Sequence, residues 1–405
     1  KVGLNAVKPI NIIKNKLPSP PKGRTYVIGA GKAAASMAKA IETNWPNKSP
    51  LDGSVITRYK HSLKTKKIKV YESGHPMPDT AGMKAANNFI NKINSLDKDD
   101  LLLCLISGGG SSLMLVPQNG LNMNDLRNIT KNLLNCGAEI SEINTVRKHL
   151  SKIHGGKIPM YTNAKIVTLI ISDVTGDKIT DIASGPCCPD PTTFQNAIKI
   201  LEKYKIKNKK IFEFLKEGLK GKIIENPKKN NPIFKNVKNI LLASGKNMLD
   251  KAELFLKKNK IQTLNLGDGI KGESRQIAIE HAKKILKINK TRFAIISGGE
   301  TTVTVRGRGK GGRNSEYALS LFNQVKNTDR IAVISCDTDG IDGSEDNAGV
   351  YFDKKIIAKA KKLSLDPEFF LKKNDSYSFF KKLNSLIHTG PTLTNVNDYR
   401  VIMKI

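Results

Sequence analysis

Short apolar runs of strand length alternate along this chain with stretches whose apolar residues recur every three to four positions. The runs predict strands at 25–28, 54–59, 68–72, 101–106, 166–171, 239–243, 262–266, 293–296 and 331–334. The helical period predicts helices at 33–43, 81–94, 124–136, 142–151, 194–203, 248–259 and 272–288. Strand and helix taking turns predict an α/β fold of parallel sheets with helices on both faces. The polar, lysine-rich, proline-flanked stretch 220–236 is the candidate linker, so two domains are expected, 1–232 and 233–405, the second smaller than the first.

Three loop motifs occur once before that linker and once after it, each at the end of an expected strand. Gly31-Lys32 is echoed by Gly245-Lys246, Ser107-Gly108-Gly109 by Ser297-Gly298-Gly299, and Ile171-Ser172-Asp173 by Ile334-Ser335-Cys336-Asp337. Ligands of open α/β sheets sit beyond the carboxyl ends of strands. Both domains are therefore expected to offer loops to one active-site cleft that closes over its substrates.

Composition narrows the class. With 39% hydrophobic and 26% charged residues over 405 positions, the chain reads as globular and too long for one core. No apolar run is of membrane length and no signal peptide opens the sequence, so no membrane partner and a cytoplasmic location are expected. The chain opens on Lys1 rather than methionine, which predicts a further piece before it. Five cysteines without paired spacing fit a reducing compartment, with Cys104 in the core. The net charge of +32 raises a nucleic-acid hypothesis, but the lysines are spread over helix faces without interleaved aromatics. No nucleic acid is expected; the charge predicts a field that draws in small anions.

The candidate chemistry lies in the loops. Gly29-Ala30-Gly31-Lys32 precedes a helix, and glycine there would let a phosphate or carboxylate approach the backbone while Lys32 adds a point charge. Gly29, Gly31 and Ala34 also fit a G-x-G-x-x-A dinucleotide fingerprint. The next strand ends near Arg58 rather than an acid, which keeps an NADP-dependent reductase open. In Ser107-Gly108-Gly109-Gly110-Ser111, successive N–H groups can cup an anion, with the two serine hydroxyls assisting. His75, between Gly74 and Pro76, reads as a turn histidine.

The stretch 291–321 holds Ser297-Gly298-Gly299-Glu300, a β-branched run over 301–305, and a basic loop with Arg306, Arg308, Lys310 and Arg313. A helix follows over 315–325, with Asn314 its expected N-cap and its start expected to favour an anion. Asp173, Asp177 and Asp181 follow one strand; Asp337, Thr338, Asp339 and Asp342 follow another. Carboxylates at strand ends beside anion loops suit a Mg²⁺ that keeps its waters and bridges phosphates, and Asx turns are the bland alternative.

Taken together, TYVIGAGKAAASMAKA, ESGHPMPDTAG, LISGGGSSLMLVP, INTVRKHLSKIHGG, ISDVTGDKITDIASGPCCPDPTTF, ISGGETTVTVRGRGKGGRNSEYAL, CDTDGIDGSEDNAG and HTGPTLTNVNDYRVIM resemble the loops of the glycerate 2-kinase family, whose C-terminal part is the MOFRL domain. The resemblance implies a Rossmann-like N-terminal domain and a smaller α/β C-terminal domain with the active site in the cleft between them. It implies ATP- and Mg²⁺-dependent phosphorylation of D-glycerate to 2-phosphoglycerate by a monomer or homodimer. NAD(P)H-dependent hydroxypyruvate reduction is the alternative.

The family's lysine falls on Lys32 and its arginine on Arg313. Asp173 or Asp177 is expected to accept the hydroxyl proton, and Asp337 and Asp339 to bind metal. Gly31, Ser107, Gly108, Gly109, Gly110, Ser111, Arg147, Ser297, Gly298, Gly299, Glu300, Asn314 and Thr338 are expected to bind substrate or nucleotide. Alanine at Lys32 or Arg313 is expected to leave the fold intact. Leu393 stands where many members have glycine, Ser315 where many have glutamine, and Asp337 where some have glycine.

Overall fold

A computed structural model describes residues 1–405. They form two compact units, one of Ile12–Leu242 and one that joins Lys1–Asn11 to Ala243–Ile405.

The first unit is built on β1 (Thr25–Ala30), β2 (Leu51–Arg58), β3 (Ile68–Ser73), β4 (Leu101–Ile106), β5 (Lys165–Ile171) and β6 (Val237–Ala243), in the order β3-β2-β1-β4-β5-β6. The ladders β1–β2, β2–β3, β1–β4 and β4–β5 are parallel. Both β1 and β4 are buried along their whole length, which is why they read as unbroken apolar runs. Alanines at 34, 35, 38 and 40 are buried in the helix Ala34–Asn44, which has little side-chain bulk on its packed face. Cys104 sits in the core as expected. This strand order is that of the Rossmann fold, and it reverses between β1 and β4, so the loops after these two strands flank the switch point where such sheets bind ligands.

The expected linker is not one. Glu225 accepts from Phe194 N–H (2.9 Å) and lies 3.0 Å from His149 Nε2, while buried Asn226 donates to Asp190 (2.7 Å). These contacts fasten 220–236 to the first unit, and the strand after it is the sixth of that unit's sheet.

The second unit holds β7 (Gln262–Asn265), β8 (Lys271–Glu273), β9 (Phe293–Ser297), β10 (Glu300–Thr302), β11 (Ile331–Asp337), β12 (Gly349–Phe352), β13 (Leu386–Ile387) and β14 (Asp398–Lys404). Its main sheet runs β13-β12-β11-β14-β9-β7, and β8 pairs only with β10. Here the expected parallel sheet gives way to a mixed one. The last strand, β14, enters between β9 and β11, antiparallel to both, and only β7–β9 is parallel. The helices Ser274–Leu286 and Arg313–Val325 pack on this sheet around Tyr317, Phe322, Phe352, Phe379 and Phe380.

Candidate active site

The loops after β1 and β4 are hydrogen-bonded to each other. Lys32 N–H donates to Gly108 O (2.8 Å), and Ala33 N–H donates to the buried hydroxyl of Ser107 (3.0 Å). A Cβ on Gly31, whose φ is +139°, would lie 2.1 Å from Ser107 Oγ. The glycine thus makes room for the β4 loop rather than for a phosphate, and Ser107 pins the loops instead of facing a ligand. The first N–H groups of the helix Ala34–Asn44 are consumed in the same way, since Ala34 N–H bonds Gly31 O (3.1 Å). A dinucleotide pyrophosphate on this fold uses those donors, so the fingerprint reading loses its physical basis here.

Donors open instead one loop further on. The N–H groups of Gly108, Gly109 and Ser111 take no partner within the chain, while Gly110 N–H turns back to Ser107 O (3.3 Å). Gly109 has φ +84°, the left-handed turn that lets neighbouring N–H groups converge. Ser111 Oγ lies 2.8 Å from Ser184 Oγ; Ser184 donates to Asn144 Oδ1 (3.2 Å), which also receives Arg147 Nη1 (3.0 Å). Ala183 and Ser184 are consecutive non-glycine residues at φ 49° and 57°, a conformation that costs roughly 1–2 kcal/mol each.

This chain of three bonds links Arg147 to the loop that carries the open N–H groups. No carboxylate lies within ion-pair distance of Arg147, and burial of its charge pulls the guanidinium down to about 10. Charged, half-buried and without an acidic neighbour, it is a ready receptor for a ligand anion. Lys148, one position on, is buried and paired with Asp190 (3.5 Å) and Asp181 (3.8 Å). Asp173 and Asp177 sit in the loop after β5, beside β4, and Asp177 takes φ 53°.

The second unit gathers the other candidates. The helix Arg313–Val325 begins at Arg313 with Gly312 as N-cap, not at Ser315 behind Asn314. Its start already holds an anion. The Asp342 carboxylate accepts from Asn314 N–H (2.9 Å), Ser315 N–H (2.8 Å) and Ser315 Oγ (2.7 Å), and burial pushes its pKa up. Arg313 lies among three carboxylates, Asp398 (2.7 Å), Asp337 (2.7 Å) and Glu300 (3.0 Å), which hold its pKa above the ordinary arginine value despite burial. An arginine so paired orders carboxylates first.

Asp398 is the hub of this cluster. It is fully buried and also accepts from Asn314 Nδ2 (2.7 Å), Thr301 N–H (3.3 Å) and Arg400, whose Nη1 donates to Gly298 O (3.0 Å). The loop Ser297-Gly298-Gly299-Glu300 differs from its expected counterpart, since Gly298 N–H bonds Gly267 O (2.9 Å) and Glu300 N–H bonds Ile270 O (2.9 Å). The echo of Lys32 by Lys246 also dissolves: exposed Lys246 pairs with Asp250 one turn on (2.7 Å).

Asp337 and Asp339 form Asx turns, receiving the N–H groups of Asp339 (3.0 Å) and Ile341 (2.9 Å). Thr338 donates its hydroxyl to Asn397 O (2.7 Å). No three His, Cys, Asp or Glu side chains converge as a metal cage. Asn144, Ser184, Asp398 and Arg400 were not singled out from the sequence. Besides near neighbours, they bond partners 40 to 102 positions away, and local spacing carries no sign of that. Their one trace is that each lies in a motif quoted for the family resemblance.

Residues 1–216 match a model described as a domain of unknown function, DUF4147, and residues 293–398 match the MOFRL family. A glycerate 2-kinase of Pyrococcus horikoshii is 38% identical, with 93% of this chain and 86% of that protein aligned. The chain belongs to the glycerate 2-kinase family. A D-glycerate 2-kinase of Thermotoga maritima is 37% identical over 98% of this chain and 95% of its own. The crystal structure of a Thermotoga maritima glycerate kinase superposes with TM-score 0.88 at 36% identity, covering 100% of this chain and 97% of that one. An Agrobacterium vitis relative carrying the name "Putative hydroxypyruvate reductase" is 41% identical over 96% of this chain and 90% of its own. Relatives of this chain thus carry both names, and no helix is long and apolar enough to cross a membrane.

Proposed function

We propose that this member of the family phosphorylates D-glycerate at its 2-hydroxyl with ATP, giving 2-phosphoglycerate. The observation that carries the reading is the loop at the β1/β4 switch point, where the open N–H groups of Gly108, Gly109 and Ser111 lie beside Lys32 and are linked to Arg147 through Ser184 and Asn144. Phosphoryl transfer asks a protein chiefly for positioning and for charge to be met by fixed donors. The open N–H groups and Arg147 bind oxyanions, Lys32 adds a cation, and Asp173 or Asp177 takes the hydroxyl proton. Arg313, with Glu300, Asp337 and Asp398, holds a preorganised charge cluster that contributes to turnover.

Asp339 or Asp337 would offer an oxygen to a Mg²⁺ bound with the nucleotide, which would supply charge neutralisation; no cage of three acidic, histidine or cysteine side chains is built for it. A cytoplasmic enzyme, monomeric or homodimeric, fits the free cysteines and the absence of a spanning helix.

The test is a paired assay. ATP-dependent formation of 2-phosphoglycerate is expected, with no NADPH oxidation on hydroxypyruvate; the converse result would overturn the reading. The consumed helix-start donors after β1 favour the kinase outcome.

A further inference from the structure

His75 reads as a turn residue in the sequence, yet the fold brings its ring against Gly109. A Cβ built on Gly109 would lie 2.9 Å from both Cδ2 and Nε2 of His75, and 3.6 Å from Cγ of Lys32. Two demands therefore fall on position 109. Its φ of +84° tolerates asparagine or aspartate at modest cost; any side chain there would oblige the His75 ring to shift.

The loop that carries His75 is held firmly. Asp79 accepts from Gly74 N–H (2.8 Å), Ser73 Oγ (2.8 Å), Gly82 N–H (3.0 Å) and Tyr59 OH (2.6 Å), and so closes the turn between β3 and the helix Thr80–Ile93 around the histidine. Such a tether is more than a solvent-facing turn requires. It fixes an imidazole edge beside the N–H groups of Gly108, Gly109 and Ser111, on the flank where Lys32 also lies.

We propose that His75 contacts the ligand directly, hydrogen-bonding through Nε2 to the oxyanion that those N–H groups receive. The inference rests on the β4 loop being the kinase's anion site, and the oxyanion is either a phosphate of ATP or the carboxylate of glycerate. The glycine at 109 then serves to let the ring reach that oxygen. A hydrogen bond to a charged group changes affinity by roughly 10- to 100-fold.

Steady-state kinetics of His75→Ala, His75→Asn, Gly109→Ala and the double variant His75→Ala/Gly109→Ala test this, with thermal melting alongside. His75→Ala is expected to raise KM for one substrate at least about tenfold while the other stays within about twofold and melting is little changed. The affected substrate identifies the oxyanion. His75→Asn, which keeps a donor, is expected to recover part of the loss. Gly109→Ala displaces the ring, so the double variant is expected to be no worse than the poorer single one. Unchanged KM values for both substrates in His75→Ala, or additive losses in the double variant, overturn the inference. If the native chain makes no 2-phosphoglycerate, the kinase reading falls by itself. Calorimetric binding of inorganic pyrophosphate then decides, with equal affinity in native chain and His75→Ala overturning the contact.

Discussion

Residues that look alike in sequence have opposite electrostatic roles here. Arg147 has no acid and Arg313 has three, so the first awaits a ligand and the second is already neutralised. Arg313→Ala would leave buried Asp398 and Asp337 without that counter-charge, and breaking such a pair costs about 3–5 kcal/mol. Chemical denaturation is expected to register that loss, whereas Arg147→Ala is expected to melt near the native temperature. This revises the sequence-based expectation that alanine at 313 leaves the fold intact. Lys157 offers a pH test. Its ammonium, buried and donating to Lys148 O (2.6 Å) and His154 O (3.3 Å), is pulled by burial to about 7 from 10.5. Between those values the unfolded chain keeps a proton that the native chain has released. Stability should therefore climb with pH through that window, by at most about 1.4 kcal/mol per unit, and carry the full penalty below it. Urea titrations between about pH 7 and 9 should show a shallower climb in Lys157→Met.

The central strands of the first sheet were legible because runs such as β1 and β4 are buried along their whole length. Leu101–Ile106 needed nothing beyond its own composition. The second sheet was not, since β14 pairs with β9 about a hundred positions earlier and its burial alternates over only seven residues. The candidate loops were found by their glycines, but whether their N–H groups were open depended on distant partners such as Gly267 and Ile270. The start of the helix Arg313–Val325 was misread for a similar reason, its capping carboxylate lying at Asp342. Asp342→Ala should destabilise by about 2 kcal/mol or more, because two buried N–H groups lose their acceptor. Asp342→Asn keeps an oxygen there and should lose less in the same denaturation experiment. Leu393 adopts φ 62°, the conformation that explains why many family members carry glycine at that place.

For the molecule as a whole, the charge of +32 is a long-range property that no single loop explains. If it draws in anionic substrates, kcat/KM should fall several-fold between about 20 mM and 500 mM potassium chloride while kcat stays level, because screening acts on encounter. A salt-independent kcat/KM would remove steering from the account. The division into units has a different kind of consequence. Val7 is buried, and its carbonyl accepts from Thr394 Oγ1 (2.8 Å), so the first eleven residues are structural parts of the unit completed last. During synthesis the segment Ile12–Leu242 emerges as one uninterrupted stretch able to fold as it leaves the ribosome. Lys1–Asn11 must wait for Ala243–Ile405 to be made, and a break of the chain after Leu242 would strand part of the second unit on the wrong fragment.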